Sequence, residues 1–164
     1  MNFRSTSSRS NTLRSTNFRS VGLSLTLAAL LAVPATGADA KEHVVKMLND
    51  GGDGNYMVFQ PDYIKAEVGD TVKFVATDIG HNAETMPEIW PEGAAPFKGE
   101  ISKDVTLTID KPGIYGVKCL PHYILGMVAL VEAGDPVNAD QVKAYQPPEM
   151  AKKRFEGLAE QLPK

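Results

Sequence analysis

Residues 105–127 read VTLTIDKPGIYGVKCLPHYILGM. Val105 to Asp110 alternate apolar and polar side chains, the period of a strand with one buried face. Lys111-Pro112-Gly113 carries turn chemistry, and Ile114–Lys118 resumes an extended run. A further strand-like run opens at Met127. The nine residues Cys119 to Met127 therefore form a loop between two strands. Pro121 removes a backbone donor and discourages helix there, while Gly126 lets the chain turn sharply. Such a loop can aim several side chains at one point.

Strand-like runs recur at His43–Leu48, Met57–Gln60, Tyr63–Glu67, Thr71–Ala76 and Met127–Glu132, with turn residues at Gly51-Gly52-Asp53-Gly54-Asn55 and Gly69-Asp70. Short strands at this spacing predict an antiparallel β-sandwich or barrel. Thr77 to Lys103 contains Pro87, Pro91 and Pro96 and reads as irregular, with Trp90 as a packing anchor. After Gly134 the pattern changes. Asn138 with Gln141 three residues on reads as a capping box opening a helix through about Tyr145. Pro147-Pro148 starts another, in which Ala151, Phe155, Leu158, Ala159 and Leu162 share one face while Lys152, Lys153 and Glu156 point away. The two helices are expected to cover one sheet.

Composition narrows the function. The chain has 164 residues, 43% hydrophobic and 23% charged, with a formal net charge of −3. Nothing here offers the basic surface that nucleic-acid binding needs. A single cysteine excludes an intrachain disulfide framework, iron–sulfur clusters and four-cysteine zinc sites.

The first forty residues read as a secretory signal peptide. Arg4, Arg9, Arg14 and Arg19 precede an apolar run from Val21 to Val33 that is too short to span a bilayer. Pro34 and the small-residue site Ala38-Asp39-Ala40 follow, predicting cleavage after Ala40 and a periplasmic protein. An Arg- and Ser-rich arm also suits a mitochondrial transit peptide, but the compact apolar core argues against that. The mature chain, residues 41–164, would be a single domain, with the sandwich over 41–133 and the helical tail over 134–164. Its 13 basic and 19 acidic residues give a net charge of −6. No second long apolar run remains, so no membrane insertion is expected. An unpaired thiol in an exported protein risks oxidation unless it is buried or occupied.

Cys119, His122 three positions on and Met127 five beyond that share the loop, and His81 follows a strand in Asp78-Ile79-Gly80-His81-Asn82. Each is weak evidence singly: a lone buried thiol, a core methionine or a satisfied histidine, as His43 is read, is the ordinary case. Together, one thiolate, two imidazoles and a thioether are the donor set of a blue-copper electron-transfer site. The thiolate and imidazoles form a near-trigonal plane, and the soft axial thioether tunes the potential. Such a set suits neither oxidation state fully, so little need move when an electron arrives. Four protein donors leave no open position for a substrate, and no nucleophile–base pair is visible, so an enzyme is disfavoured.

With these residues in view, the sequence resembles the type 1 copper proteins, or cupredoxins, and among them the pseudoazurins. Met47-Leu48-Asn49, Met57-Val58-Phe59, Val68-Gly69-Asp70-Thr71-Val72, Gly80-His81-Asn82, Pro112 through Cys119, Pro121-His122-Tyr123 and Gly126-Met127 carry the resemblance. It implies an all-β Greek-key sandwich with a C-terminal two-helix extension, holding one type 1 copper ion on His81, Cys119, His122 and Met127. It implies that Asn82 ties the two ligand loops and donates a backbone hydrogen bond to the thiolate, with Met57 and Pro121 packed beside the ligands. It also implies that His122 is an electron port set in an apolar patch.

Two departures shape that patch. Leu120 stands where the family usually has Thr, and Ile124-Leu125 replaces a small residue and Met. Of the lysines that ring the patch, Lys98 and Lys118 match, but Ile79 and Asp50 stand where lysines are usual. The implied protein is a monomeric carrier of single electrons. Nitrite reductase or nitrous-oxide reductase would be its acceptor and a cytochrome its donor. The alternatives are a copper-delivery module with an exchangeable, exposed site and an exported interaction module in which Cys119 is incidental.

Overall fold

In the computed structural model, which describes residues 39–52 and 54–163, strand β7 (Gly113–Lys118) pairs antiparallel with β8 (Val128–Ala133). Their register runs from Gly113↔Ala133 to Lys118↔Val128. Cys119 to Met127 therefore closes one end of a hairpin. Six further strands complete the body: β1 (Glu42–Asp50), β2 (Tyr56–Gln60), β3 (Tyr63–Ala66), β4 (Thr71–Val75), β5 (Glu84–Thr85) and β6 (Val105–Thr108). They form two four-stranded sheets, β2-β1-β4-β6 and β3-β8-β7-β5. Helices α1 (Ala139–Ala144) and α2 (Glu149–Ala159) follow. The leader read over residues 1–40 lies almost wholly outside the described residues.

The sandwich core follows from alternation. Val45, Met47, Phe59, Ile64, Val72, Phe74, Leu107, Tyr115, Val117, Ala129 and Val131, from both sheets, form one buried cluster. The opposite parity of β7 and β8 supplies Ile114, Val128 and Leu130 to a second cluster with Met86, Ile89, Val142, Phe155, Leu158 and Leu162. Both strands are thus buried on two faces, which explains the unbroken apolar run Val128 to Val131. The helical tail covers this second face, as the sequence predicts. Burying each of its large side chains contributes roughly 1.5–3 kcal/mol.

Four sequence expectations need correction. The sheets are mixed, since β1 runs parallel to β4 and β3 to β8. The chain crosses between sheets, which makes sheet neighbours of strands that are not joined by a hairpin. The segment from Thr77 to Lys103 is not wholly irregular, because β5 pairs with β7 and Glu84 bridges Lys98. A two-residue strand shows no alternation for sequence to reveal. Val105 to Asp110 is strand only to Thr108, although Ile109 continues the pairing through its N–H to the Asp70 carbonyl at 2.9 Å.

The fourth correction is the capping box. The Asn138 side chain caps nothing; it pairs with the Ile114 main chain, accepting from its N–H at 2.6 Å and donating to its carbonyl at 2.9 Å. Gln141 accepts from Asn138 and from the Trp90 N–H. The amide of Asn138 acts as a miniature strand beside β7. Trp90 anchors the preceding segment, with its ring edge-on to Tyr115 at 4.8 Å and its indole N–H on the Ala94 carbonyl. His43 is a satisfied structural histidine, with Nε2 at 2.8 Å from Asp70 Oδ2.

Candidate metal centre

The hairpin loop closes on itself through short main-chain bonds. The Cys119 N–H donates to the Met127 carbonyl at 3.0 Å, and the Met127 and His122 N–H groups donate to the His122 and Cys119 carbonyls, each at 3.2 Å. A single 3₁₀ turn, Tyr123–Leu125, fills the space between. Gly126 ends it at φ +89°, and a Cβ there would lie 3.2 Å from the Ala151 Cα of α2. Only glycine meets both demands. His81 comes from the connection after β4, held by the Ser102 N–H on its carbonyl at 2.7 Å and by Ser102 Oγ accepting from the Gly80 N–H at 2.9 Å.

These loops bring the donors together. The ligating atoms of His81, Cys119 and His122 all lie within 4.8 Å of one another. Cys119 Sγ is 3.8 Å from His81 Nδ1 and 3.6 Å from His122 Nδ1, and the two Nδ1 atoms are 3.1 Å apart. His81, Cys119 and Met127 are fully buried and His122 is half-buried.

Electrostatics leaves this cluster short of one cation. Burial, and then the neighbouring His122, lower the pKa of His81 and keep its imidazole neutral. Asn49 Oδ1 lies 3.0 Å from His81 Nε2 and accepts a hydrogen bond from its N–H, which leaves the Nδ1 lone pair facing the cluster. Burial also pushes the Cys119 thiol up, opposed by the backbone N–H groups of Asn82 and His122. A thiolate here needs a positive charge beside it, and with the Nδ1 atoms of both imidazoles turned toward it the set fits a soft metal ion.

Asn82 Oδ1 accepts the Leu120 N–H at 2.8 Å. Its amide nitrogen donates to Glu84 and to the Gly99 carbonyl, so its orientation is fixed. Met57 is half-buried, packs against the cluster containing Cys119 and Met127, and has φ +53°. Pro121 is exposed, as are Leu120 (53%), Ile124 (62%) and Leu125 (39%). Lys98 lies 3.8 Å from Glu84, and the Lys118 ammonium sits 5.4 Å from the Tyr123 ring centre. Ile79 is 81% exposed. Sequence reading missed the role of Asn49. Its only trace was membership of Met47-Leu48-Asn49, a segment that carries the resemblance without stating a purpose.

The profile of copper-binding proteins of the plastocyanin/azurin family matches residues 45–134. The chain belongs to that family. Within it, the pseudoazurin of Paracoccus pantotrophus is 47% identical over 141 residues, covering 85% of this chain and 96% of the relative. The pseudoazurin of Methylorubrum extorquens is 41% identical, covering 88% and 97%. The crystal structure of native pseudoazurin from Hyphomicrobium denitrificans superposes with a TM-score of 0.72 at 53% identity, covering 75% of this chain and 99% of that one. This cupredoxin is a blue copper electron-transfer protein with one type 1 copper ion, not an enzyme. No helix among the described residues is long and apolar enough to cross a membrane.

Proposed function

We propose that His81, Cys119, His122 and Met127 are the copper ligands. The reading rests on the convergence of a buried thiol and two imidazoles within 4.8 Å. When bound, copper supplies a one-electron couple between Cu(II) and Cu(I). The chain's own residues hold the donors in place and keep water out. Asn49 fixes the tautomer of His81, Asn82 ties its loop to the loop of Cys119, and the main-chain bonds between Cys119 and Met127 lock the hairpin end. Burial of Cys119 argues against a delivery module, because an exchanging partner cannot reach the thiolate.

His122 alone among the four approaches the surface and is the electron port. The exposed Leu120, Pro121, Ile124 and Leu125 lie beside it in the chain and form an apolar docking face. With Lys98 engaged by Glu84 and no lysine at Ile79 or Asp50, docking is driven by apolar burial more than by charge steering. The acceptor is a denitrification reductase, nitrite reductase or nitrous-oxide reductase, and a cytochrome is the donor. Residues 1–40 direct the chain to the periplasm, where it acts as a monomer. Mixing the reduced protein with a copper nitrite reductase tests this reading. Fast oxidation with weak salt dependence, slowed tenfold or more in Leu120→Asp, is expected. Failure to oxidise, or an unchanged rate in Leu120→Asp, overturns it.

A further inference from the structure

Arg154 stands on α2, 27 positions beyond the end of the metal loop in the chain, yet its guanidinium reaches that loop. Nη1 donates to the Gly126 carbonyl at 2.8 Å and to the Met57 carbonyl at 2.9 Å, and Nη2 reaches the Tyr56 carbonyl at 3.3 Å. One planar cation therefore joins the helical tail, the start of β2 and the end of the metal loop. Two of the three residues whose carbonyls it holds, Met57 and Gly126, have positive φ. These are the points where the main chain departs from ordinary geometry and gains most from an external clamp. Charge-assisted bonds are the stronger kind, and the guanidinium fork can serve several acceptors in one plane where an ammonium cannot.

The Gly126 carbonyl belongs to the peptide that leads into Met127. Met127 in turn donates its N–H to the His122 carbonyl and accepts the Cys119 N–H. A shift of the Gly126–Met127 peptide therefore moves the Met127 thioether relative to Cys119 and His122. The helix also fits closely at this point, with Ala151 Cα 3.2 Å from where a Gly126 Cβ would stand. Tyr145, ahead of α2, grips the other end of the turn through its hydroxyl bond to Tyr123 and packs on Phe155. The tail thus holds the loop as well as covering the sheet.

We propose that Arg154 is a positioning residue for the copper centre: by tying the Gly126 carbonyl to that of Met57, it fixes the main chain that would present the Met127 thioether to the metal. The inference rests on the ligand assignment above. It predicts that Arg154→Lys, which keeps the charge but loses the fork, and Arg154→Met, which loses both, each change the centre without preventing copper binding.

The test compares both variants with Leu158→Ala, which loosens α2 through its buried face and removes no bond to the loop. In the copper-loaded proteins, the intensity ratio of the two thiolate-to-copper bands and the symmetry of the electron-spin-resonance spectrum should change in both Arg154 variants. Leu158→Ala should leave them unchanged while lowering the melting temperature more. In the metal-free proteins, amide exchange at Met127 should quicken at least tenfold in Arg154→Met. Spectra of both Arg154 variants that superimpose on the parent, or an equal spectral change in Leu158→Ala, would overturn the proposal. Cys119→Ser and Met127→Leu separate this from the ligand reading. Colour surviving the first, or an unchanged spectrum in the second, defeats the ligand assignment itself and the proposal with it. If both behave as ligand losses while the Arg154 variants do not differ from the parent, only the role of Arg154 fails.

Discussion

Replacing Asn49 by leucine removes the acceptor that holds the Nε2 proton of His81. The bond is 3.0 Å long and His81 is fully buried; Asn49 itself is exposed, and a leucine there offers no acceptor and shields Nε2 from water more than alanine would. Leaving a buried N–H unpaired costs about 1–3 kcal/mol. The same change frees the imidazole to place its proton on Nδ1, the atom that faces Cys119 and that would have to be bare for the proposed copper binding. Loss of such an orienting partner lowers metal affinity roughly 10–100-fold, which corresponds to about 1.4–2.8 kcal/mol. The two routes give the same order of magnitude. Competitive titration with a copper chelator measures the affinity, and urea unfolding of the metal-free protein measures the first cost. Asn49→Ala should lose less, because water can reach Nε2, and Asn49→Asp should stay within threefold of the parent because it keeps the acceptor oxygen. Copper affinity within twofold of the parent in Asn49→Leu would show that Asn49 does not orient His81.

Two other perturbations probe the scaffold. Gly116→Ala places a Cβ 2.9 Å from the Ile89 Cβ and 3.1 Å from its carbonyl, so overpacking of about 1–3 kcal/mol is expected in chemical unfolding. Asp70 accepts the N–H groups of Lys41 and Glu67 and binds His43, which together hold its carboxyl down at about 2. A carboxylate lowered on folding contributes stability above its unfolded value, and that contribution fades as pH falls from about 4 to about 2. Asp70→Asn should therefore be less stable at neutral pH and show a flatter dependence of unfolding free energy across that window. An unchanged slope would sink the argument.

The sequence carries the metal loop plainly, because Cys119, His122 and Met127 share one connection and cysteine occurs once. The strands and the apolar face of α2 are equally legible, since periods of two and 3.6 write burial directly into the residue order. Pairing direction is not, because alternation in β1 reads the same beside a parallel β4 or an antiparallel neighbour. Asn138 shows a local signal losing to a tertiary one: the Ile114 main chain needs a partner, and the side chain that could cap α1 serves it instead. Asn49 and Arg154 escape for a different reason. Their partners lie 32 and 28 residues away, and nothing in the chain nearby requires a polar group that can reach them. On α2, periodicity places Arg154 beside the solvated Lys152 and Lys153 and cannot say that its guanidinium turns inward.

The proposed centre requires these four side chains to converge on a single copper ion. Visible and electron-spin-resonance spectra of the protein after addition of Cu(II), taken beside Cys119→Ser, test it most directly. An intense thiolate-to-copper band with an unusually small copper hyperfine splitting is expected, both lost in Cys119→Ser. A weak, ordinary Cu(II) spectrum in the parent, or the same spectrum in both proteins, would contradict it.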